Sequence, residues 1–203
     1  MEPANRHGAL YDFRVQLMTN LVSSGLPTEF ETGNLLVRRY RLDDDDALYG
    51  AARASIAEIH PFLPWCHPDY AMTDAREWLA QITPSWVEGI YTFGIFDRSG
   101  RDLLGSVGLS PVDEHPVTNL GYWIRSDVTR RGVATEATVG LARHAFAHLD
   151  LQRIEIIMSV RNLPSRRVAE KAGATFEGTL RSRLMLHGEA HDAHCFSLVR
   201  GDL

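Results

Sequence analysis

Residues 121–135 read GYWIRSDVTRRGVAT and place two adjacent arginines, Arg130 and Arg131, immediately before Gly132. The stretch runs from a strand-like segment into a basic, glycine-containing loop and on into a long helical pattern. Loop amides and a helix N-terminus aimed at one point attract an anion, because unpaired N–H groups and the helix dipole both favour negative charge there. The chemistry implied is the holding of a phosphate or pyrophosphate, as part of a nucleotide-containing cofactor.

Other residue clusters invite chemistry and are better explained otherwise. His187, His191 and His194 suggest zinc, but residues three apart on a strand face opposite sides of the sheet, and no cysteine or carboxylate completes a familiar ligand spacing. The four aspartates of residues 43–46 point in different directions once helical, so they read as capping and favourable charge on a first helical turn. No metal is expected. Cys66 and Cys195 sit in no recognisable spacing and read as free thiols, Cys195 as a buried strand residue.

The elements that must position the basic loop follow from periodicity. Residues 10–22 can form a helix before a Gly/Pro break, and residues 1–30 read as an N-terminal extension ahead of a domain at 31–203. Residues 34–40 alternate as a strand, and residues 43–54 and 73 onward read as helices. Between the helices, residues 59–70 (IHPFLPWCHPDY) contain three prolines that exclude a regular helix. Trp65, His67 and Tyr70 in that segment are candidates for a substrate-side wall. Three hairpin-connected strands follow at 91–96, 103–109 and 119–125. A helix at 132–149 carries Val133, Ala137, Leu141, Ala145 and Leu149 as its apolar stripe. A strand at 151–160, a helix at 162–171 capped by Asn162 and closed by Gly173, and two strands at 174–186 and 190–200 complete the order. The fold class is α+β: one domain on a central mixed, mostly antiparallel twisted sheet of about seven strands, flanked by about four helices.

Composition narrows the partners. The 203 residues carry a formal charge of −5, which argues against general nucleic-acid binding. No stretch approaches the ~20 apolar residues of a membrane span, and no secretory leader pattern opens the chain, so a cytoplasmic location is expected.

Two segments together resemble a known family. GYWIRSDVTRRGVATEA is similar to the acyl-CoA-binding loop and helix of the GNAT N-acyltransferase superfamily, and RIEIIMSVRNLPSRRVAEKAGATFEGTLR is similar to the following strand, helix and strand of its RimJ/RimL-type branch. The similarity covers about residues 34 to 200. Thr129 departs from the Gln or Arg with which the superfamily loop usually begins, whereas Ala134 fits the family's small residue. The resemblance implies acetyl-CoA as co-substrate, with pantetheine lying like an added strand between two splayed strands. Trp123, Ile124 and Arg125 would line the arm. Arg130, Arg131, Gly132, Val133, Ala134 and Thr135 would hold the pyrophosphate, and Asn162, Ser165 and Arg167 would complete the site.

The reaction implied is attack by a neutral primary amine on the thioester. A backbone N–H near Trp123 or Ile124 is the candidate oxyanion donor, and Ser165 the candidate partner of the departing thiolate. Glu114, His115, His67, Glu155 and Asp69 are all possible bases, with none preferred. The acceptor implied by the branch is a protein N-terminal α-amine. A small amine (polyamine, aminoglycoside or amino-acid conjugate) and a CoA-binding module without turnover are the alternatives. A homodimer is plausible from the family. The acceptor side is expected from residues 61–70, the 113–116 loop and the final hairpin.

Overall fold

Eight strands form one sheet in the order β1-β2-β3-β4-β5-β6-β8-β7 in a computed structural model that describes residues 25–112 and 115–203. The helix expected at residues 10–22 lies outside the described residues. The strands are β1 (Glu29–Thr32), β2 (Leu35–Arg39), β3 (Tyr91–Asp97), β4 (Leu103–Pro111), β5 (Val117–Ile124), β6 (Arg153–Ser159), β7 (Thr175–Leu186) and β8 (Glu189–Val199). Every neighbouring pair is antiparallel except β5 and β6. The helices are α1 (Asp45–Arg53), α2 (Ile56–Ile59), α3 (Met72–Ser85), α4 (Val133–His148) and α5 (Leu163–Lys171). The sheet has one strand more than expected. The extra strand is β1, too short and too polar (EFET) to alternate visibly, and it begins ahead of residue 31.

β1 is held by its pairing with β2, by Phe30 against Phe93 and His144, and by its turn. Gly33 adopts φ 52°, and the Asn34 amide donates to Glu136 Oε1 of α4 at 3.0 Å. A Cβ on Gly33 would come within 2.1 Å of that oxygen, so only glycine fits both the left-handed turn and the contact.

The sheet separates two cores. α4 places Val133, Ala137, Leu141 and Ala145 against Val37, Phe93, Val107, Leu120, Ile154 and Ile156, all buried, and α5 adds Ala169 on the same face. α1, α2 and α3 cover part of the opposite face with Leu48, Ala52, Ile59 and Leu79 against Phe96, Leu103 and Trp123. The C-terminal end of α4 is closed by Arg200, whose guanidinium donates to the carbonyls of Phe146, Leu149 and Leu151. A cation there satisfies orphan carbonyls and opposes the negative end of the dipole.

Asp44 goes beyond the capping role expected of the aspartate run. It accepts the Arg41 amide at 2.7 Å and also forms a buried two-pronged pair with Arg38, at 2.8 and 2.7 Å. Asp45 meets Arg76 of α3 at 2.7 Å.

Candidate active site

β5 and β6 are registered over three positions only, Val117↔Arg153, Thr118↔Ile154 and Asn119↔Glu155, and then separate. The direction of each β5 backbone group follows from the other edge. The Arg125 amide donates to Leu104 O at 2.8 Å, and β5 is in antiparallel register with β4. Alternate residues of a strand bond to the same neighbour, so Asn119, Gly121 and Trp123 bond toward β4. The N–H and C=O groups of Leu120, Tyr122 and Ile124 point toward β6, where the Asn119↔Glu155 pair engages the Leu120 N–H and those of Tyr122 and Ile124 lie in the fork past the last registered position. Of the two expected oxyanion donors, the Ile124 amide faces the fork and the Trp123 amide faces β4. Arg125 is likewise committed elsewhere. Its guanidinium donates to Asp127 Oδ1 at 2.6 Å and to Leu103 O at 2.9 Å. It lines an open hollow of 660 Å³ beside α1, together with Asp102 and Asp127.

Past Arg125 the chain makes one turn of 3-10 helix, Ser126–Val128, and enters the basic loop. The Thr129 hydroxyl donates back to Ser126 O at 2.8 Å, so this residue braces the turn from within. Arg130 (φ 64°) and Gly132 (φ 87°) are both left-handed, and left-handed residues turn successive amides toward one side. No side chain caps α4, and its first internal bond runs from the Glu136 amide to Gly132 O at 2.9 Å. The amides of Val133, Ala134 and Thr135 therefore have no partner within the helix. Arg130 and Arg131 are exposed beside them. A Cβ at Gly132 would meet no protein atom within 4 Å, so the space over this helix end is open to a ligand.

α5 enters the fork from the α4 side. Asn162 caps it, its Oδ1 accepting the Ser165 amide at 3.1 Å, which leaves the Asn162 amide nitrogen free of that bond. The Tyr122 phenol lies 2.9 Å from the Ser165 hydroxyl and 3.1 Å from Ser165 O, and its single proton can serve either acceptor. Burial pushes the Tyr122 phenol up to about 12, a shift that the hydrogen bond with Ser165 only partly opposes. Tyr122 was missed from the sequence. The signal was present in the strand alternation, which puts Tyr122 on the same face as Leu120, toward α4 and α5. Arg167 is exposed on α5, while Arg166 pairs with Glu170 at 2.8 Å.

The opposite face carries the aromatic residues of the 59–70 segment. Trp65 stands edge-on to Trp123 and to Tyr70, both at 5.7 Å between ring centroids, and His67 lies 6.0 Å from Tyr70. The three prolines keep this segment irregular, as expected, and Trp65 remains partly exposed. The β7–β8 turn reaches the same segment, with His187 Nε2 2.8 Å from His60 O. Of the possible bases, Glu114 lies outside the described residues, with Asp113 of the same loop. His115 and Asp69 are exposed, and His67 Nε2 lies 3.8 Å from Asp74. Glu155 sits on the sheet at the apex of the fork. The histidines of the last hairpin are separate: His191 contacts Ser159 Oγ at 3.2 Å, and His194 contacts Thr179 Oγ1 at 3.1 Å. Cys195 is a buried strand thiol.

The fork and helix end suit a ligand with an extended amide-bearing arm and a phosphate. The arm would satisfy the β5 groups as a strand would, and the phosphate would take the α4 amides. Comparison with known proteins agrees. A family model described as an acetyltransferase (GNAT) domain matches residues 34–175. YdaF of Bacillus subtilis, provisionally named a ribosomal N-acetyltransferase, is 32% identical over 126 residues, 59% of this chain and 67% of the relative. A structure from Vibrio cholerae, provisionally titled a ribosomal-protein-serine acetyltransferase, superposes with a TM-score of 0.73 at 26% identity, covering 86% of this chain and 98% of that one. RimJ of Mycobacterium smegmatis, solved with CoA-disulfide, shares the fold at a TM-score of 0.78 and 22% identity, covering 88% and 90%. The chain belongs to the GNAT family and is an acyl-CoA-dependent N-acetyltransferase.

Proposed function

We propose that the protein transfers the acetyl group of acetyl-CoA to a protein N-terminal α-amine, by direct attack in a ternary complex. The observation that carries the reading is the fork, with the β5 groups of Tyr122 and Ile124, past the last registered pair, leading straight to the uncapped N-terminus of α4. Acetyl-CoA supplies an activated acyl group as a thioester. The Val133, Ala134 and Thr135 amides hold its pyrophosphate, with Arg130 and Arg131 adding charge and Arg167 lying nearer the surface. The fork-facing groups of β5 align the pantetheine arm, and Asn162 bonds it from α5. The Ile124 amide is the proposed donor to the developing oxyanion, since a preorganised N–H stabilises charge that forms only in the transition state. Ser165, oriented by Tyr122, donates a hydrogen bond to the departing sulfur. The domain of these parts is residues 31–203 together with the β1 hairpin. The N-terminal acceptor is favoured by the names of the relatives, which refer to ribosomal proteins.

The experiment is a thioester-consumption panel: pentapeptides beginning with Ser, Ala, Thr or Met, with spermidine as the small-amine control. Acetylation of at least one peptide, with the product mapped to its α-amine, is the expected result. Turnover of spermidine alone would replace the acceptor assignment. Acetyl-CoA binding without any transfer would leave only a binding module.

A further inference from the structure

Ser55 stands at the position that caps α2, yet its hydroxyl makes no capping bond to that helix. Serine is favoured there because its side-chain oxygen takes an orphan amide of the first turn. The fully buried Ser55 hydroxyl instead donates to Ala51 O at 2.8 Å and accepts the amide of Ser126, 71 residues along the chain, at 3.0 Å. Ser126 spends its other polar groups as well. Its hydroxyl donates to Glu58 Oε2 at 2.6 Å, and its carbonyl accepts the Thr129 hydroxyl at 2.8 Å. One residue at the exit of β5 is thereby joined to α1 and α2 on one side and to the basic loop on the other.

The helices on this node form one body with the aromatic segment 59–70. Arg53 at the end of α1 donates to Pro68 O at 2.8 Å, and the Cys66 thiol lies 3.5 Å from Ala52 O. The body touches β5 on both sides of Ile124: Trp65 meets Trp123 at 5.7 Å between ring centroids, and Ser55 and Glu58 hold Ser126. Trp123 is registered with β4, and the Arg125 amide donates to Leu104 O, so the Ile124 amide is carried between fixed neighbours. Ser126 lies two residues past Ile124, ~7 Å of extended chain.

We infer that Ser55 and Glu58 are positioning residues for acetyl transfer, acting through Ser126 to aim the Ile124 amide at the reacting carbonyl, a role that rests on the acetyl-transfer reading above. Neither side chain touches the reacting atoms. A preorganised donor stabilises an oxyanion only over a narrow range of geometry, so loosening the exit of β5 costs rate. Cofactor binding is separable from this aim. The bond from the Thr129 hydroxyl to Ser126 O and the amides at the start of α4 need neither Ser55 nor Glu58. Because the body also carries Trp65 and Tyr70, the node keeps the aromatic side chains and the oxyanion donor in one relative position.

Single-turnover acetylation of the panel peptide that the wild type acetylates fastest, at saturating acetyl-CoA, provides the test, paired with calorimetric titration of acetyl-CoA and urea unfolding. Ser55→Ala should slow the chemical step about tenfold, the loss of one hydrogen bond, with acetyl-CoA affinity within about twofold of wild type. Glu58→Ala and Ser126→Ala should each slow it about fivefold, and the double variant no further than either single, because both remove the same bond. Glu58→Gln should restore most of the rate, since an amide oxygen accepts the Ser126 hydroxyl in the same way. Where Ser55→Ala fails to fold, the Glu58 and Ser126 variants carry the test. Lowered stability with wild-type rates would make the node structural and overturn the inference while leaving the transfer reading intact. Effects that multiply in the double variant, or a Glu58→Gln as slow as Glu58→Ala, would give Glu58 a role through its charge and overturn positioning. Loss of acetyl-CoA affinity in step with rate would move the effect to the basic loop, with the same consequence. A wild-type protein that acetylates no amine would remove the reading and the positioning role together.

Discussion

At the scale of single residues, the site and the scaffold use polar groups in opposite ways. Arg38 and Asp44 are buried together with side chains 8% and 10% exposed. Burial alone would raise the Asp44 pKa, but hydrogen bonds from Arg38 and the Arg41 amide outweigh it and hold the carboxyl below its ordinary value. Breaking such a pair leaves an uncompensated buried charge, so Asp44→Asn should cost about 3 kcal/mol in urea unfolding while added divalent metal changes nothing. Tyr122 uses its polar group for orientation. With its phenol pushed up to about 12 by burial, it stays neutral across working pH and fixes Ser165 by a hydrogen bond of 2.9 Å without acting as an acid itself. Tyr122→Phe should lower kcat about tenfold, with acetyl-CoA affinity preserved and the pH–rate profile unmoved, since no titrating group is lost. A displaced basic limb in that profile would give Tyr122 a proton-transfer role instead.

At the scale of elements, the basic loop works through backbone shape more than through side chains. Thr129 stands where the family usually has Gln or Arg, and its hydroxyl is turned into the loop, which fits a site built on amides. Gly132 at φ 87° with open space around it should tolerate valine only at a conformational cost of about 1–2 kcal/mol. Gly132→Val should therefore stay folded by circular dichroism and lose at least about tenfold in acetyl-CoA affinity by calorimetry. The far end of the sheet offers a pH test. The hydrogen bond from Arg153 holds Glu177 down to about 2, below its ordinary 4.5. A depressed folded-state pKa contributes stability that is present above the unfolded value and lost as pH falls through the folded one, here between pH 4.5 and about 2. With the Glu177 side chain 39% exposed, solvent screening reduces the effect to about 1 kcal/mol. Glu177→Gln should flatten that part of the stability curve in acid titrations of unfolding.

For the whole molecule, the sheet, its mixed character and the loop–helix site were legible because they rest on local signals: alternation, glycine and proline punctuation, and a basic turn before an apolar stripe. β1 was not legible, because its place depends on Glu136 a hundred residues away, and neither were the Arg38–Asp44 and Tyr122–Ser165 pairs, which are set by packing. The fork belongs to this second class too. Both strands were readable, but only their register reveals that Tyr122 and Ile124 present backbone to a gap. That gap couples the two halves of the sheet, since β6, β8 and β7 join β1–β5 through three registered positions. A ligand lying in the fork adds bonds across this join, so binding should stabilise the molecule and protect the fork selectively. At acetyl-CoA 100-fold above its Kd, mass action alone gives about 2.7 kcal/mol of added stability. Hydrogen exchange should then slow at the amides of Tyr122 and Ile124, together with those of Val133, Ala134 and Thr135. Amides of Trp123 and Gly121, already bonded toward β4, should change only with the global term. Equal protection across all β5 amides would mean that the ligand stabilises the fold from outside the fork, and the strand-like placement of the pantetheine arm would fall.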